Sequence, residues 1–258
     1  MNSARDEWPM ANYLAAWKTF RRVGNEPEAT AEHILGRQRW PKKSQLSVLD
    51  VGCGDGRMLE AFILRAKPPL AKVVLLDPDQ HLLNEAKLEI EALGTNCNVA
   101  TVRGAAETKG VKWARKTDAG LAIHVAYLMP HSAFFSFVEN WPARVPLYVV
   151  LDAPTSVFSE LWTKTAPEYS ARAARVHSYL GKEAKTRLNV RSSEFATRVA
   201  NPHALSENVR DLVLSLLCYT EYTRLSPAVR GHVKRTLMKH ADGDEINCKC
   251  SCYEILKS

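Results

Sequence analysis

The chain is poor in cysteine. Six thiols in 258 residues are too few for a disulfide scaffold, and no two form a Cys-x-x-Cys pair. No apolar run approaches the roughly 18 residues that span a bilayer. The first twenty residues hold no apolar core, so no secretory leader is expected. Internal repeats and low-complexity tracts are missing as well. These absences point to a cytoplasmic protein with reduced thiols and no membrane partner. What is present is a hydrophobic fraction of 46%, too high for disorder throughout. The length suits one α/β domain with additions, or at most two small domains.

The net charge is +7, and it is spread unevenly. Residues 1–42 carry 7 basic and 5 acidic groups, and residues 43–163 carry 12 and 13. Residues 164–200 carry 8 and 3, and residues 201–258 carry 8 and 7. The surplus therefore sits in the segment 164–200, as basic residues separated by apolar and small ones. Such a surface serves nucleic acid, an anionic ligand or solubility alone. The segment lacks the interleaved aromatics of RNA recognition.

Hydrophobic periodicity divides the chain. Tyr13, Leu14, Trp17 and Phe20 share one helical face. Gly24 and Asn25 break that helix, Pro27 can open a second, and Pro41 to Ser44 form an exposed joint. From there strands and helices alternate. Leu46 to Val51, Lys72 to Leu76, Asn98 to Val102, Leu121 to Ala126 and Leu147 to Leu151 read as buried strands. Arg57 to Ala66, Gln80 to Leu93 and Ser132 to Asn140 read as helices between them, with Gly94 a C-terminal cap. This is the pattern of βαβ units and a parallel, doubly wound sheet. Later, Thr186 to Phe195 reads as a strand, Ala204 to Tyr222 and Pro227 to His240 as helices, and Ile246 to Leu256 as a final antiparallel strand.

The strongest local signal is Val48-Leu49-Asp50-Val51-Gly52-Cys53-Gly54-Asp55-Gly56. A buried strand enters a glycine-rich turn that opens a helix, so backbone can pass close to a ligand. Asp50 and Asp55 flank the turn. Two carboxylates repel a pyrophosphate and suit a cationic ligand with an amino group. Asp77 ends the next strand, before Pro78, where a carboxylate can take two ribose hydroxyls. Gly104-Ala105-Ala106-Glu107 follows strand three, placed to meet an adenine edge.

In order and spacing, Val48 to Gly56, Asp77 and the fourth-strand segment resemble the class I S-adenosylmethionine-dependent methyltransferases. The resemblance covers about residues 44–152. It implies S-adenosyl-L-methionine as cofactor, with Asp50, Gly52, Gly54 and Asp55 around its methionine part. It places Asp77 and Pro78 at the ribose, Glu107 or Thr108 at the adenine side, and His124 beside the methyl group. The implied architecture is a Rossmann-like sheet over residues 43–258, mostly parallel with the last strand antiparallel. A helical lid over residues 1–42 and a helical cap at about 200–242 complete it.

A narrower resemblance runs to the histamine N-methyltransferases. It rests on Tyr13 to Phe20 followed by Glu26, on Asp118 to Met129, and on Leu161-Trp162. It implies that Glu26 meets a substrate amine and that Asn247 contacts the substrate. His124 stands where that family has a glutamine, a departure that bears on which acceptor is used.

The residues themselves leave several roles open. His124 is a general base, a hydrogen-bond partner of a substrate nitrogen, or a satisfied polar group in a pocket wall. Tyr127 and Phe20 are substrate contacts or core, and Trp17 is chiefly core. Cys248, Cys250 and Cys252 alternate on one strand, about 7 Å apart, which does not converge on a metal. His131, His177, His203, His232 and His240 show no ligand spacing either, so no metal is expected. The expected reaction is direct methyl transfer to a nitrogen of a small molecule, by a monomer or dimer. Two alternatives remain: RNA or protein docked on the basic segment 164–200, and a catalytically silent binding protein.

Overall fold

A computed structural model describes residues 10–257; residues 1–9 of the expected lid lie outside the described residues. Helix α1 (Met10–Arg22) ends before Gly24, and α2 (Glu26–Leu35) starts with Pro27 at its second position. Both agree with the sequence pattern. There follow β1 (Leu46–Val51), α3 (Arg57–Arg65), β2 (Leu70–Asp77), α4 (Gln80–Ala92) and β3 (Asn98–Arg103). A π-helical turn at Ala106–Gly110 leads into α5 (Val111–Ala114), β4 (Ala119–Ile123), α6 (His131–Glu139) and β5 (Leu147–Asp152). The chain closes with α7 (Val157–Thr165), α8 (Pro167–Ser178), β6 (Asn189–Ala200), α9 (Glu207–Cys218), α10 (Pro227–His240), β7 (Ala241–Asp242) and β8 (Glu245–Leu256).

The strands form one sheet in the order β3-β2-β1-β4-β5-β8-β6, with β7 paired to β8. Strands β1 to β5 pair in parallel. Strands β4 and β5 are buried along their whole length, as helices on both faces of a parallel sheet require. Strand β3, at the edge, has no fully buried residue. Strand β8 runs against β5: Arg144 N–H donates to Lys257 O at 3.0 Å, and Ala153 N–H to Lys249 O at 2.9 Å. The partner number falls as the strand number rises, so the expected antiparallel last strand is present.

Two compact units share this chain. One comprises 27–151, 175–193 and 251–258, and holds β1 to β5 with α2 to α6. The other comprises the residues up to Glu26, 152–174 and 194–250, and holds α1, α7, α9 and α10. Strands β6 and β8 run through both. The division falls after Glu26, not at the Pro41 joint, so α2 groups with the sheet and α1 does not. Within the second unit Tyr219 meets Tyr13, Trp162 and Tyr169 at ring distances of 5.7, 5.8 and 4.0 Å. Trp162 Nε1 donates to Leu217 O at 3.1 Å, tying α7 to α9.

Several element ends differ from the sequence pattern, and those of β4, β6 and α9 have local reasons. Strand β4 stops at Ile123 because His124 takes φ +53°, which leaves the extended region. Strand β6 starts later, at Asn189, because Ala184–Thr186 closes a 3₁₀ turn, and it continues to Ala200 because it bonds the α1–α2 joint. There Asn25 N–H donates to Arg198 O and Ala200 N–H to Val23 O. Helix α9 ends at Cys218 because Tyr219 adopts φ +54°, while Tyr219 N–H reaches Leu216 O and Thr220 N–H reaches Ser215 O. That is a Schellman stop with tyrosine in the usual glycine position.

Candidate functional site

The site gathers at the carboxyl ends of β1, β2, β3 and β4, where the strand order reverses about β1. The turn after β1 carries Gly52, Gly54 and Gly56 at φ +70°, +56° and +82°. Side-chain-bearing residues avoid that region. Gly52 N–H and Cys53 N–H both donate to Leu76 O, at 2.7 and 3.3 Å, which pins the turn against β2. A Cβ on Gly52 would collide with Val125, and one on Gly56 would lie 3.0 Å from Ala86 of α4. The turn is therefore packed from both sides. Asp55 Oδ1 accepts the Arg57 N–H at 3.2 Å as α3 begins. Asp50 and Asp55 are both buried.

Asp77 ends β2 and is 7% exposed. Its Oδ2 accepts the Gly54 N–H at 3.3 Å, and its Oδ1 accepts the Asp79 N–H at 2.9 Å. Asp79 in turn caps α4, accepting from His81 N–H at 2.8 Å and Leu82 N–H at 3.4 Å. Between them Pro78 O accepts from Arg103 Nε at 3.3 Å. Gly104 N–H donates to Asp77 O at 3.1 Å and draws the end of β3 alongside. Glu107, half-buried, and Thr108, exposed, lie in the π-helical turn that follows. Burial first, then the charges of Asp50 and Asp77, push the Cys53 thiol far up, so it stays protonated.

His124 follows β4 directly, half-buried, with its N–H donated to Val150 O at 2.9 Å. The Tyr127 hydroxyl lies 3.4 Å from His124 Nδ1, a long and weak bond, and Tyr127 itself is 6% exposed. The structure thus brings Asp50, Gly52, Gly54, Asp55, Asp77, Pro78, Glu107, Thr108, His124 and Tyr127 into one unit, on strand ends and the turns after them.

Phe20, Glu26 and Asn247 belong to the other unit. Phe20 is buried, edge-on to Phe158 at 5.5 Å. Glu26 is half-buried at the start of α2. Asn247 is exposed, on the face of β8 opposite Ile246 and Cys248. Burial, followed by the charges of Asp152, Cys250 and Glu26, raises the Cys248 thiol, so both carboxylates act on that one sulfur. The sequence reading missed Asp152. Its signal was the one that marked Asp77: an acidic residue ending a strand just ahead of a proline turn.

Cys248, Cys250 and Cys252 are all buried. Among the described residues no group of His, Cys, Asp or Glu could hold a metal ion. Among the described residues no helix is long and apolar enough to cross a membrane. In the basic segment, Arg175 pairs with Glu183, Arg187 with Glu139 at 2.7 Å, and Arg198 with Glu245 at 2.9 Å.

Comparison with known proteins agrees with this geometry. Residues 48–141 match the family model of a methyltransferase domain. The BH2331 protein of Bacillus halodurans C-125 is 18% identical over 88% of this chain and 96% of its own, with a TM-score of 0.54. The YcgJ protein of Bacillus subtilis is 12% identical over 88% and 99%, with a TM-score of 0.52. At these identities the two likenesses show the fold. No curated protein matches the chain.

The residues present fit S-adenosylmethionine. A glycine-rich turn is held against β2, buried carboxylates flank it, and the buried Asp77 carboxylate stands beside it at the end of β2. Residues 48–141 thus resemble a methyltransferase domain, and the side chains gathered there suit S-adenosylmethionine as its cofactor.

Proposed function

We propose that this domain methylates a nitrogen atom of a small amine or imidazole-like molecule. The observation that carries the reading is His124. A residue other than glycine at φ +53° costs roughly 1–2 kcal/mol, and this one stands at the end of β4 in the crevice where such sheets bind ligands. Its ring has the Tyr127 hydroxyl beside it. Strain of this kind persists where the surroundings over-determine it, and it clusters at functional sites.

In this reading Asp50, Gly52, Gly54 and Asp55 hold the methionine end of the cofactor. Asp77 and Pro78 meet the ribose, and Glu107 or Thr108 the adenine edge. When bound, S-adenosylmethionine supplies an electrophilic methyl group on a sulfonium sulfur. The chain's own residues do the rest. An acceptor amine reacts only when neutral, and burial beside positive charge lowers its pKa. His124 takes the proton that the acceptor nitrogen loses, or orients that nitrogen by a hydrogen bond. Tyr127 steadies the imidazole. Positioning is the main catalytic task, so no nucleophile is needed. Phe20, Glu26 and Asn247 remain the substrate candidates of the other unit, joined there by Asp152. Two carboxylates acting on one buried thiol support a cationic acceptor.

The decisive experiment offers purified protein and methyl-labelled cofactor a panel of small amines and imidazoles, beside RNA and protein substrates. Label in an amine supports the reading. Label only in RNA or protein overturns it and favours docking on 164–200, a segment whose basic residues are in part already paired within the chain.

A further inference from the structure

A second charged surface lies at the opposite ends of the strands. Trp113, half-buried at α5, has two ammonium groups close to its indole: Lys72 Nζ at 5.5 Å and Lys116 Nζ at 5.1 Å from the ring centroid. Each contact is attractive, because the ring face is negative. The two lysines nevertheless repel each other, and no described carboxylate pairs with either. Asp118, the nearest acidic residue along the chain, is already engaged. Its Oδ1 takes Lys43 Nζ at 2.5 Å, and its Oδ2 takes the Ser47 N–H and hydroxyl, each at 2.9 Å.

Lys112 and Arg115 enlarge this surface. Lys112, Arg115 and Lys116 are exposed, and a spacing of three to four residues puts them on one side of the α5 turn. Among the described residues none of Lys72, Lys112, Arg115 and Lys116 has an ion-pair partner. Nothing acidic lies between Glu107 and Asp118. The register fixes where they are. Lys72 pairs with Ser47 and Asn98 near the starts of β1, β2 and β3, and Asp118 N–H donates to Ser47 O at 2.8 Å ahead of β4. The proposed cofactor residues sit at the other ends of these strands, roughly 17 Å away at about 3.3 Å per residue.

We propose that this surface binds a single-stranded nucleic acid, with phosphates on Lys72, Lys112, Arg115 and Lys116 and a base against Trp113. Unpaired cations around one accessible aromatic ring are the combination that single strands use: charge tracks the backbone, and the ring stacks a base without regard to sequence. An acidic peptide would use the same charges but has no π-face to offer Trp113.

The test is fluorescence anisotropy with labelled single strands of roughly 12 nucleotides, RNA and DNA, titrated from low to moderate salt. Binding should weaken steeply with salt, with a log–log slope of about 0.7 for each phosphate engaged. The double variant Lys112→Glu/Lys116→Glu should lose more than tenfold in affinity. Trp113→Ala should lose roughly tenfold, and Trp113→Phe should retain most of the binding. Cofactor binding by calorimetry should be unchanged in all three, which separates a lost surface from a lost fold. Absence of binding at low salt would overturn the proposal. So would polyglutamate displacing the strand as readily as unlabelled oligonucleotide. Binding that ignores these variants and disappears with Lys182→Glu/Lys185→Glu would also overturn it.

Discussion

The backbone N–H of Gly54 donates to Asp77 Oδ2 at 3.3 Å, so the turn that follows β1 is tied to the carboxylate that ends β2. One side chain thus shapes the loop and, in the proposed function, also meets the cofactor's ribose. Removing it should act on both.

Asp77→Ala should weaken S-adenosylmethionine binding by about 10- to 100-fold, the range of losing one or two hydrogen bonds to a charged acceptor. Calorimetry checks this, and Asp77→Asn should fall between the two. Unaltered affinity in both variants would remove Asp77 from the site.

Gly52→Ala should destabilise the fold by about 2–4 kcal/mol. Its φ of +70° disfavours a side chain by roughly 1–2 kcal/mol, and the added Cβ collides with Val125, an overpacking cost of about 1–3 kcal/mol. Gly94→Ala is the control. Its φ is +64° but nothing lies within 4 Å, so only the conformational part should appear in a denaturant titration.

His124→Ala should lower kcat on an amine acceptor by about 100-fold or more, with KM little changed, if the imidazole takes the proton. His124→Gln keeps a hydrogen bond but no base. Full activity in the glutamine variant, with an unaltered pH–rate profile, would assign His124 to orientation alone.

Alkylation of the native protein should mark Cys97 first. It is half-buried, whereas Cys53, Cys218, Cys248, Cys250 and Cys252 are buried. Burial pushes the Cys218 thiol up to about 12 and raises Cys97 as well, so even Cys97 should react slowly at neutral pH. Peptide mapping after a timed iodoacetamide pulse reads the order, and unfolding in denaturant should expose the remaining five.

Acid should loosen the amino end of β4 through Asp118. Burial alone would raise this carboxyl, but the Lys43 ammonium and the Ser47 N–H and hydroxyl outweigh it and hold it below the usual range. A carboxylate depressed on folding adds stability above its unfolded value, near pH 4, and loses it as pH falls through the lower folded value. Asp118→Asn should flatten the acid limb of stability against pH and leave neutral behaviour nearly the same. Lys43 is largely exposed, so the effect should be modest and should shrink in salt.

Much of this architecture was legible along the chain. Strands β1, β2 and β5 announced themselves because buried parallel strands are nearly continuous runs of Val, Ile and Leu. Asp50, Gly52, Gly54, Asp55 and Asp77 were legible because each sits at a strand end beside a turn whose chemistry is local. The end of β4 was not. Only tertiary packing holds His124 at a positive φ, and propensity alone extends the strand past it. The grouping of Glu26 with Asp152 and Cys248 was equally hidden, since it joins residues far apart along the chain.

Charge shows most clearly where the sequence stops. By itself the sequence determined a doubly wound sheet and a methyltransferase-like order of turn, carboxylate and fourth strand. It also located a basic excess at 164–200 and a near-neutral 43–163. The tertiary structure decided what those sums mean. Several basic residues of 164–200 find carboxylates within the chain. The near-neutral stretch separates its charges, with Asp50, Asp55 and Asp77 toward the carboxyl ends of the strands and Lys72, Lys112, Arg115 and Lys116 toward the amino ends. A strand carries residues only a few positions apart in sequence to opposite ends of the sheet, and a sum along the chain cancels what that geometry keeps apart.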